Sequence, residues 1–200
     1  MNKGTDKAER TRQLIIEKTA ILFNKKGFAG TSMSDLTEAT GLTKGSIYGN
    51  FENKEDVAVA VFEYNTSKII RQAQQLIDDA PDYHSKLMVY GKVYKNILKL
   101  NEDQGGCPIL NTATEADDTN PVLRQKVAEV ILNWRKKLIQ LIEGGIKAGE
   151  FKSSLQPRQI AVSIIALIEG GIMIAKATND QYAMDNVLET VELLINQLEQ

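Results

Sequence analysis

The chain has 200 residues, with 24 Lys and Arg against 26 Asp and Glu, one Cys and one His. A chain of this length buries about 70% of its unfolded surface and needs no disulfide or metal to hold a core. Its formal net charge of −2 taken alone speaks against a polyanionic partner. A single Cys and a single His exclude an internal disulfide, a Cys/His zinc site and most nucleophile–histidine catalytic sets. No metal, no cofactor and no enzymatic activity are therefore expected. The start, Met1-Asn2-Lys3-Gly4, carries no apolar signal core, and the most apolar stretch, residues 160–175, contains Glu169. A cytoplasmic protein with no membrane span is the expectation.

Four prolines, Pro81, Pro108, Pro121 and Pro157, punctuate long segments with apolar residues at helical spacing and no sustained alternation. The chain reads as all-α, with helices near residues 6–26, 33–40, 44–50, 54–79, 83–101, 108–117, 121–148, 157–177 and 182–199. Residues 1–54 carry 9 basic and 6 acidic side chains, whereas the remainder carries 15 and 20. A basic module over residues 1–53 thus precedes a larger acidic one over residues 54–200.

The second and third helices are short and joined at Gly41, as a helix-turn-helix requires. Ser32 and Asp35 form the pattern of a capping box, and Thr43 is placed to cap the third helix. Leu36, Ala39, Leu42, Ile47 and Phe51 supply a small shared core. Lys44, Gly45, Ser46, Tyr48 and Asn50 are left outward, a polar, small-residue face that suits a DNA major groove.

The run Phe23 to Phe28, then Thr31-Ser32-Met33, then Ala39 to Phe51 and Lys54-Glu55 resembles the TetR family of bacterial transcriptional regulators. Thr19, Thr37 and Asn50 depart from the residues commonest in that family. The resemblance implies that Thr31, Ser32, Thr43, Lys44, Gly45 and Ser46 approach an operator, with Tyr48 and Asn50 on phosphates. Lys54 opens the fourth helix, where a cation opposes the helix dipole; a phosphate nearby would reverse that cost. Lys3, Lys7, Arg10 and Arg12 form an arm that would add phosphate or minor-groove contacts.

The eighth helix is apolar around most of its circumference and carries Gly170 and Gly171 at its middle, so a helix must approach it closely. The family resemblance implies a homodimer through the last two helices, with Ile164, Ile168, Gly171, Ile172, Val187, Val191, Leu194 and Leu198 at the interface. The alternative is that these helices form an intramolecular core. By the same resemblance helices 5 to 7 would enclose an unknown small-molecule effector, with Tyr90, Tyr94, Ile97, Leu98, Leu110, Thr114, Glu115, Trp134, Leu138 and Ile142 as candidates. Core packing is the alternative for each.

Cys107 stands before Pro108, a first-position helix residue, and after Gly105-Gly106. It reads as an accessible cap thiol whose thiolate the helix start favours. A Gly-Cys here, with Glu115 after it, resembles the subgroup of the family that includes the N-ethylmaleimide-responsive repressor, implying an electrophile or oxidant sensor; simple burial is the alternative. His84 reads as solvated surface. Two other classes remain open on the residues alone: a thiol-dependent protein handling electrophiles, and a helical partner protein without DNA binding.

Overall fold

The computed structural model describes the backbone of residues 3–100 and 105–200, and the side chains of residues 7–96 and 105–200. The side chains of Lys3, Ile97 and Leu98 therefore lie outside the described residues. The described residues form nine helices: α1 Lys3–Lys26, α2 Met33–Thr40, α3 Lys44–Tyr48, α4 Lys54–Asp79, α5 Tyr83–Leu100, α6 Pro108–Ala116, α7 Pro121–Ala148, α8 Pro157–Thr178 and α9 Gln181–Asn196. All nine expected helices are present. The largest boundary differences, three residues each, are at the start of α1 and the end of α9. Beyond α9 the Lys152 N–H donates to the Leu198 carbonyl (2.9 Å), pairing the tail with the α7–α8 connection.

Local chemistry sets the helix ends. Ser32 Oγ accepts from the Asp35 N–H (3.1 Å) while Asp35 Oδ2 accepts from the Ser32 N–H (2.7 Å), a complete capping box. Gly41 closes α2 at φ 70°, a left-handed conformation that a Cβ would strain. Thr43, Asn53, Asn120 and Asp180 each cap the next helix through a side-chain oxygen.

Two apolar clusters form the interior. Ile15, Phe23, Leu36, Ile47 and Phe51 pack with Val57, Ala58 and Val61 from the first turns of α4, and with Ala116 and Leu123 from α6 and α7. The larger cluster joins α4, α5 and α7 to α8 and α9, with Leu87, Leu138, Ile142, Ile164, Ile168 and Ile172 fully buried. Burying side chains of this size contributes about 1.5–3 kcal/mol each before ordering entropy is counted. Gly171 is where α8 meets α9, since a Cβ there would lie 2.8 Å from Met184 Sδ and 3.0 Å from Val187 Cγ1. By length and composition α8 could cross a membrane, which the shorter stretch read from the sequence did not suggest; in the fold it packs along α9 and α7.

Candidate nucleic-acid interface and enclosed chamber

The third helix is held by its apolar side, where Ile47 is fully buried, and this fixes what the opposite side presents. Thr43, Lys44, Gly45 and Tyr48 are exposed and Ser46 is half-buried. A Cβ built on Gly45 meets nothing within 4 Å, so a flat surface can approach the backbone there. Lys44 Nζ lies 5.7 Å from the Tyr48 ring centre, giving the face a cation beside an amphipathic aromatic. Ser32, on the neighbouring helix start, is exposed.

Three residues expected on this face do other work. Thr31 is fully buried and its Oγ1 donates to the Gly27 carbonyl (2.6 Å), closing the α1–α2 turn. Lys54 Nζ donates to the carbonyls of Phe28 (2.7 Å) and Thr31 (2.9 Å) and sits 4.2 Å from the Phe28 ring centre. Those carbonyls, rather than a phosphate, offset the cost of a cation at the start of α4. Asn50 is half-buried, with Nδ2 donating to the Ser46 carbonyl (2.9 Å). Arg12, from the expected arm, donates to the Asn50 carbonyl (2.8 Å) and lies over the Phe51 ring, bracing α3 against α1.

A chamber of about 200 Å³ opens between α4, α5, α6 and α7. One wall is the α4 stripe Thr66, Ile69, Ile70, Ala73, Gln74 and Ile77; the facing α7 stripe is Val130, Asn133, Trp134 and Lys137. Tyr90 and Tyr94 of α5 complete it, and Trp134 stacks on Tyr94 at 5.0 Å and on Tyr90 at 6.0 Å between ring centres. Ile109 brings α6 to the same space. Of the expected ligand residues, Tyr90, Tyr94 and Trp134 line it. Leu138 and Ile142 are fully buried in the core and Leu110 packs at its edge, and none of the three is in the chamber lining. The α4 wall was missed. Its i, i+3, i+4, i+7 spacing was legible, and it reads equally well as core.

Glu115 faces the helix-turn-helix instead of the chamber. Its Oε2 accepts from the Phe28 N–H and its Oε1 from the Ala29 N–H, both at 2.8 Å. At the other end of α6, Asn24 Nδ2 donates to the Gly106 carbonyl (2.9 Å) and Asn111 Nδ2 to the Asn24 carbonyl (3.1 Å). The nine-residue α6 thus touches the chamber through Ile109 and grips both flanks of the α1–α2 turn.

Cys107 is the α6 N-cap, as its place before Pro108 predicts, yet it is fully buried and makes no capping bond. Its Sγ donates to Glu169 Oε1 at 3.3 Å. Burial, then the neighbouring Glu169 charge, pushes the thiol well above its ordinary range, so the expected accessible thiolate is absent. Burial likewise pushes the Glu169 carboxyl up to about 7, and its Oε2 is buried without a partner. Since the folded protein keeps that proton after the unfolded chain has lost it, stability falls as pH rises from about 4.5 to 7 and levels off above. The loss from this group is about 3 kcal/mol. Glu169→Gln is expected to flatten that slope in urea titrations at fixed protein concentration; an unchanged slope would place the proton elsewhere. His84, expected in solvent, is half-buried and its Nε2 lies 2.8 Å from Asn196 Oδ1, linking α5 to α9.

Six of the eight expected dimer residues are covered within one chain. Ile164, Ile168, Gly171, Ile172, Val191 and Leu198 are buried, and Val187 and Leu194 half-buried, because α8 and α9 pack on each other along those sides. The large apolar side chains left outward on these helices are Val162, Met173 and Ile174 on α8 and Tyr182 and Leu193 on α9, with Val122 and Leu132 on α7. Gly170, unlike Gly171, has nothing within 4 Å of a built Cβ.

A capped helix-turn-helix with an outward polar α3, carried on a helical body, defines a class of DNA-binding transcriptional regulator. Residues 15–61 match the family described as "Bacterial regulatory proteins, tetR family", and residues 84–191 the "Tetracyclin repressor-like, C-terminal domain". The chain belongs to the TetR family of transcriptional regulators. It is 49% identical to a TetR-family regulator of Cytophaga hutchinsonii, whose crystal structure superposes with a TM-score of 0.92 over 96% of each chain. A regulator from Chloroflexus aurantiacus is 35% identical with a TM-score of 0.91, covering 97% of this chain and 98% of that one. The transcriptional repressor DhaR of Mycobacterium sp. strain GP1 is 26% identical over 182 residues, 90% of this chain and 89% of that protein. Reduced NemR of E. coli, at 24% identity and a TM-score of 0.82 over 92% of this chain and 95% of that one, shares the fold.

Proposed function

We propose that this regulator is a cytoplasmic homodimeric repressor, which grips a palindromic operator through α3 and is released when a small molecule fills the chamber. The observation that carries the reading is the α3 face itself: Lys44, Gly45 and Tyr48 are exposed although neighbouring Ile47 is fully buried. Thr43, Lys44, Gly45 and Ser46 would meet base edges, and Tyr48 and Ser32 phosphates. Residues 1–53 serve as the DNA-binding domain and residues 54–200 as the effector and dimer domain, with α6 bridging them. The outward Val162, Met173 and Leu193 support a dimer through the outer faces of α8 and α9. A twofold axis there would set two α3 helices on half-sites about one turn, ~34 Å, apart. Release by a hundredfold needs only about 2.7 kcal/mol of differential affinity between two arrangements. Burial of Cys107 favours a non-covalent effector over an electrophile.

Lys44→Ala is expected to weaken operator binding about tenfold and relax base preference at one position. Lys54→Met should instead lower stability by about 1–3 kcal/mol, since two carbonyls lose a cationic donor. Its salt slope should match that of the wild type. Fluorescence anisotropy over a range of salt concentrations separates the two; equal operator affinity for wild type and Lys44→Ala contradicts the assignment of the α3 face.

A further inference from the structure

The chamber has a chemical signature of its own, set by three aromatic rings and one cation. Tyr90, Tyr94 and Trp134 are all buried, and the Trp134 and Tyr94 planes lie within 12° of each other. Such a stack presents flat π surface, and flat rings bind offset against flat rings. At about 200 Å³ the space exceeds the ~150 Å³ in which an engineered apolar cavity takes up benzene. One or two fused rings therefore fit.

Charge narrows the class further. Among the described residues no acidic side chain lines the chamber; Asp78, which accepts from Gln74 Nε2 at 2.5 Å, and Glu169 both stand outside the lining. Burial pushes the hydroxyls of Tyr90 and Tyr94 upward, so both remain neutral phenols. Among the described residues the one charged side chain in the lining is Lys137, half-buried and with no ion pair or hydrogen bond to another described residue. Exposed Asn133 lies one turn before it on the same face of α7, also unpartnered, and adds amide donors toward the solvent side. The buried Trp134 indole N–H has no acceptor in the chain either. Lys137 and the Trp134 indole thus add unpaired N–H donors to a lining otherwise made of neutral side chains.

We infer that the chamber takes a planar aromatic acid of one or two rings, its rings against Trp134 and Tyr94 and its carboxylate at Lys137. The inference rests on the reading of the chamber as the effector site, and it names the chemical class that site selects. A long aliphatic acid would meet the same cation while forgoing the stacked rings. A neutral aromatic would keep the rings and leave Lys137 unpaired.

Calorimetry on the full-length protein with 2-naphthoate, 2-naphthalenemethanol and decanoate separates these contributions. 2-Naphthoate is expected to bind at least about tenfold tighter than either comparison ligand, a gap typical of one charge-assisted contact. It should also quench Trp134, the only tryptophan in the chain. Lys137→Met should close the gap to the alcohol by weakening the acid alone. Ala73→Phe, which fills the α4 wall, should abolish binding while circular dichroism stays native. Equal affinities for acid and alcohol, tighter binding of decanoate, failure of all three to bind, or naphthoate binding untouched by Ala73→Phe would each overturn the inference. Anisotropy on operator DNA distinguishes this failure from failure of the effector reading. Naphthoate that binds in the chamber without releasing operator contradicts the effector role and leaves the ligand class standing. Release by decanoate that Ala73→Phe blocks does the reverse.

Discussion

Leu193→Glu is expected to convert the protein from dimer to monomer and to weaken operator binding by at least about a hundredfold. Leu193 is 61% exposed on α9, and Met173, 54% exposed, lies outward on α8. On a twofold interface each subunit presents the same patch to its partner, so one substitution sets two carboxylates into the buried contact. Desolvating them costs several kcal/mol, and the loss of the tether removes the gain that comes from reading two half-sites with one linked pair. Ile168→Ala makes the informative contrast. Ile168 is fully buried within the chain, so its truncation should cost about 2–5 kcal/mol of stability and leave the folded protein dimeric. Sedimentation velocity distinguishes the two, and a dimeric Leu193→Glu would move the interface elsewhere.

The second large effect falls on Glu115. Its carboxylate accepts two backbone N–H groups at the α1–α2 turn, and charge-assisted bonds of this kind contribute about 1.5–3 kcal/mol each, less where solvent reaches them. Glu115→Ala is expected to speed hydrogen exchange at the Phe28 and Ala29 amides and to destabilise the N-terminal module by about 2–4 kcal/mol. Operator affinity should fall about tenfold, because the turn that aims α2 and α3 loses its brace. Protection at both amides equal to that of the wild type would mean that α6 does not hold the turn.

How far the sequence carried depended on what kind of information each feature needs. Helix number and most helix ends were legible because Ser32, Thr43, Asn53 and Asn120 act on backbone groups only three residues away, and Pro108, Pro121 and Pro157 each open a helix. The outward side of α3 was legible too, since Ile47 and Phe51 fix its inward side. What failed was the assignment of partners across the fold. Lys54 and Glu115 are charged residues on short or early helical turns, and nothing local says that their partners are carbonyls of Phe28 and Thr31 or amides of Phe28 and Ala29. The last two helices show the same limit in another form. An apolar helix needs cover, and periodicity does not distinguish cover by α9 of the same chain from cover by a second copy. The structure sorts Ile164, Ile168 and Ile172 inward and Val162 and Met173 outward. For Cys107 the cap position was legible and burial was one of the two readings left open, but the closeness of Glu169, 62 residues along the chain, was beyond local reading.

The charge asymmetry read at the outset gains a geometry from these contacts. Of the nine cations in residues 1–54, Lys54 and Arg12 are committed to backbone carbonyls and Lys26 to Asp35 at 2.7 Å. Lys44 remains exposed on α3 beside Tyr48.

The most direct test is selection of bound duplexes from a random DNA library with purified full-length protein, repeated with Lys44→Ala. The account predicts a palindrome whose half-site centres lie about one helical turn apart, with Lys44→Ala relaxing preference at symmetric positions in both halves. Enrichment of no sequence, of a single unpaired half-site, or of the same palindrome with unaltered preferences in Lys44→Ala would contradict it.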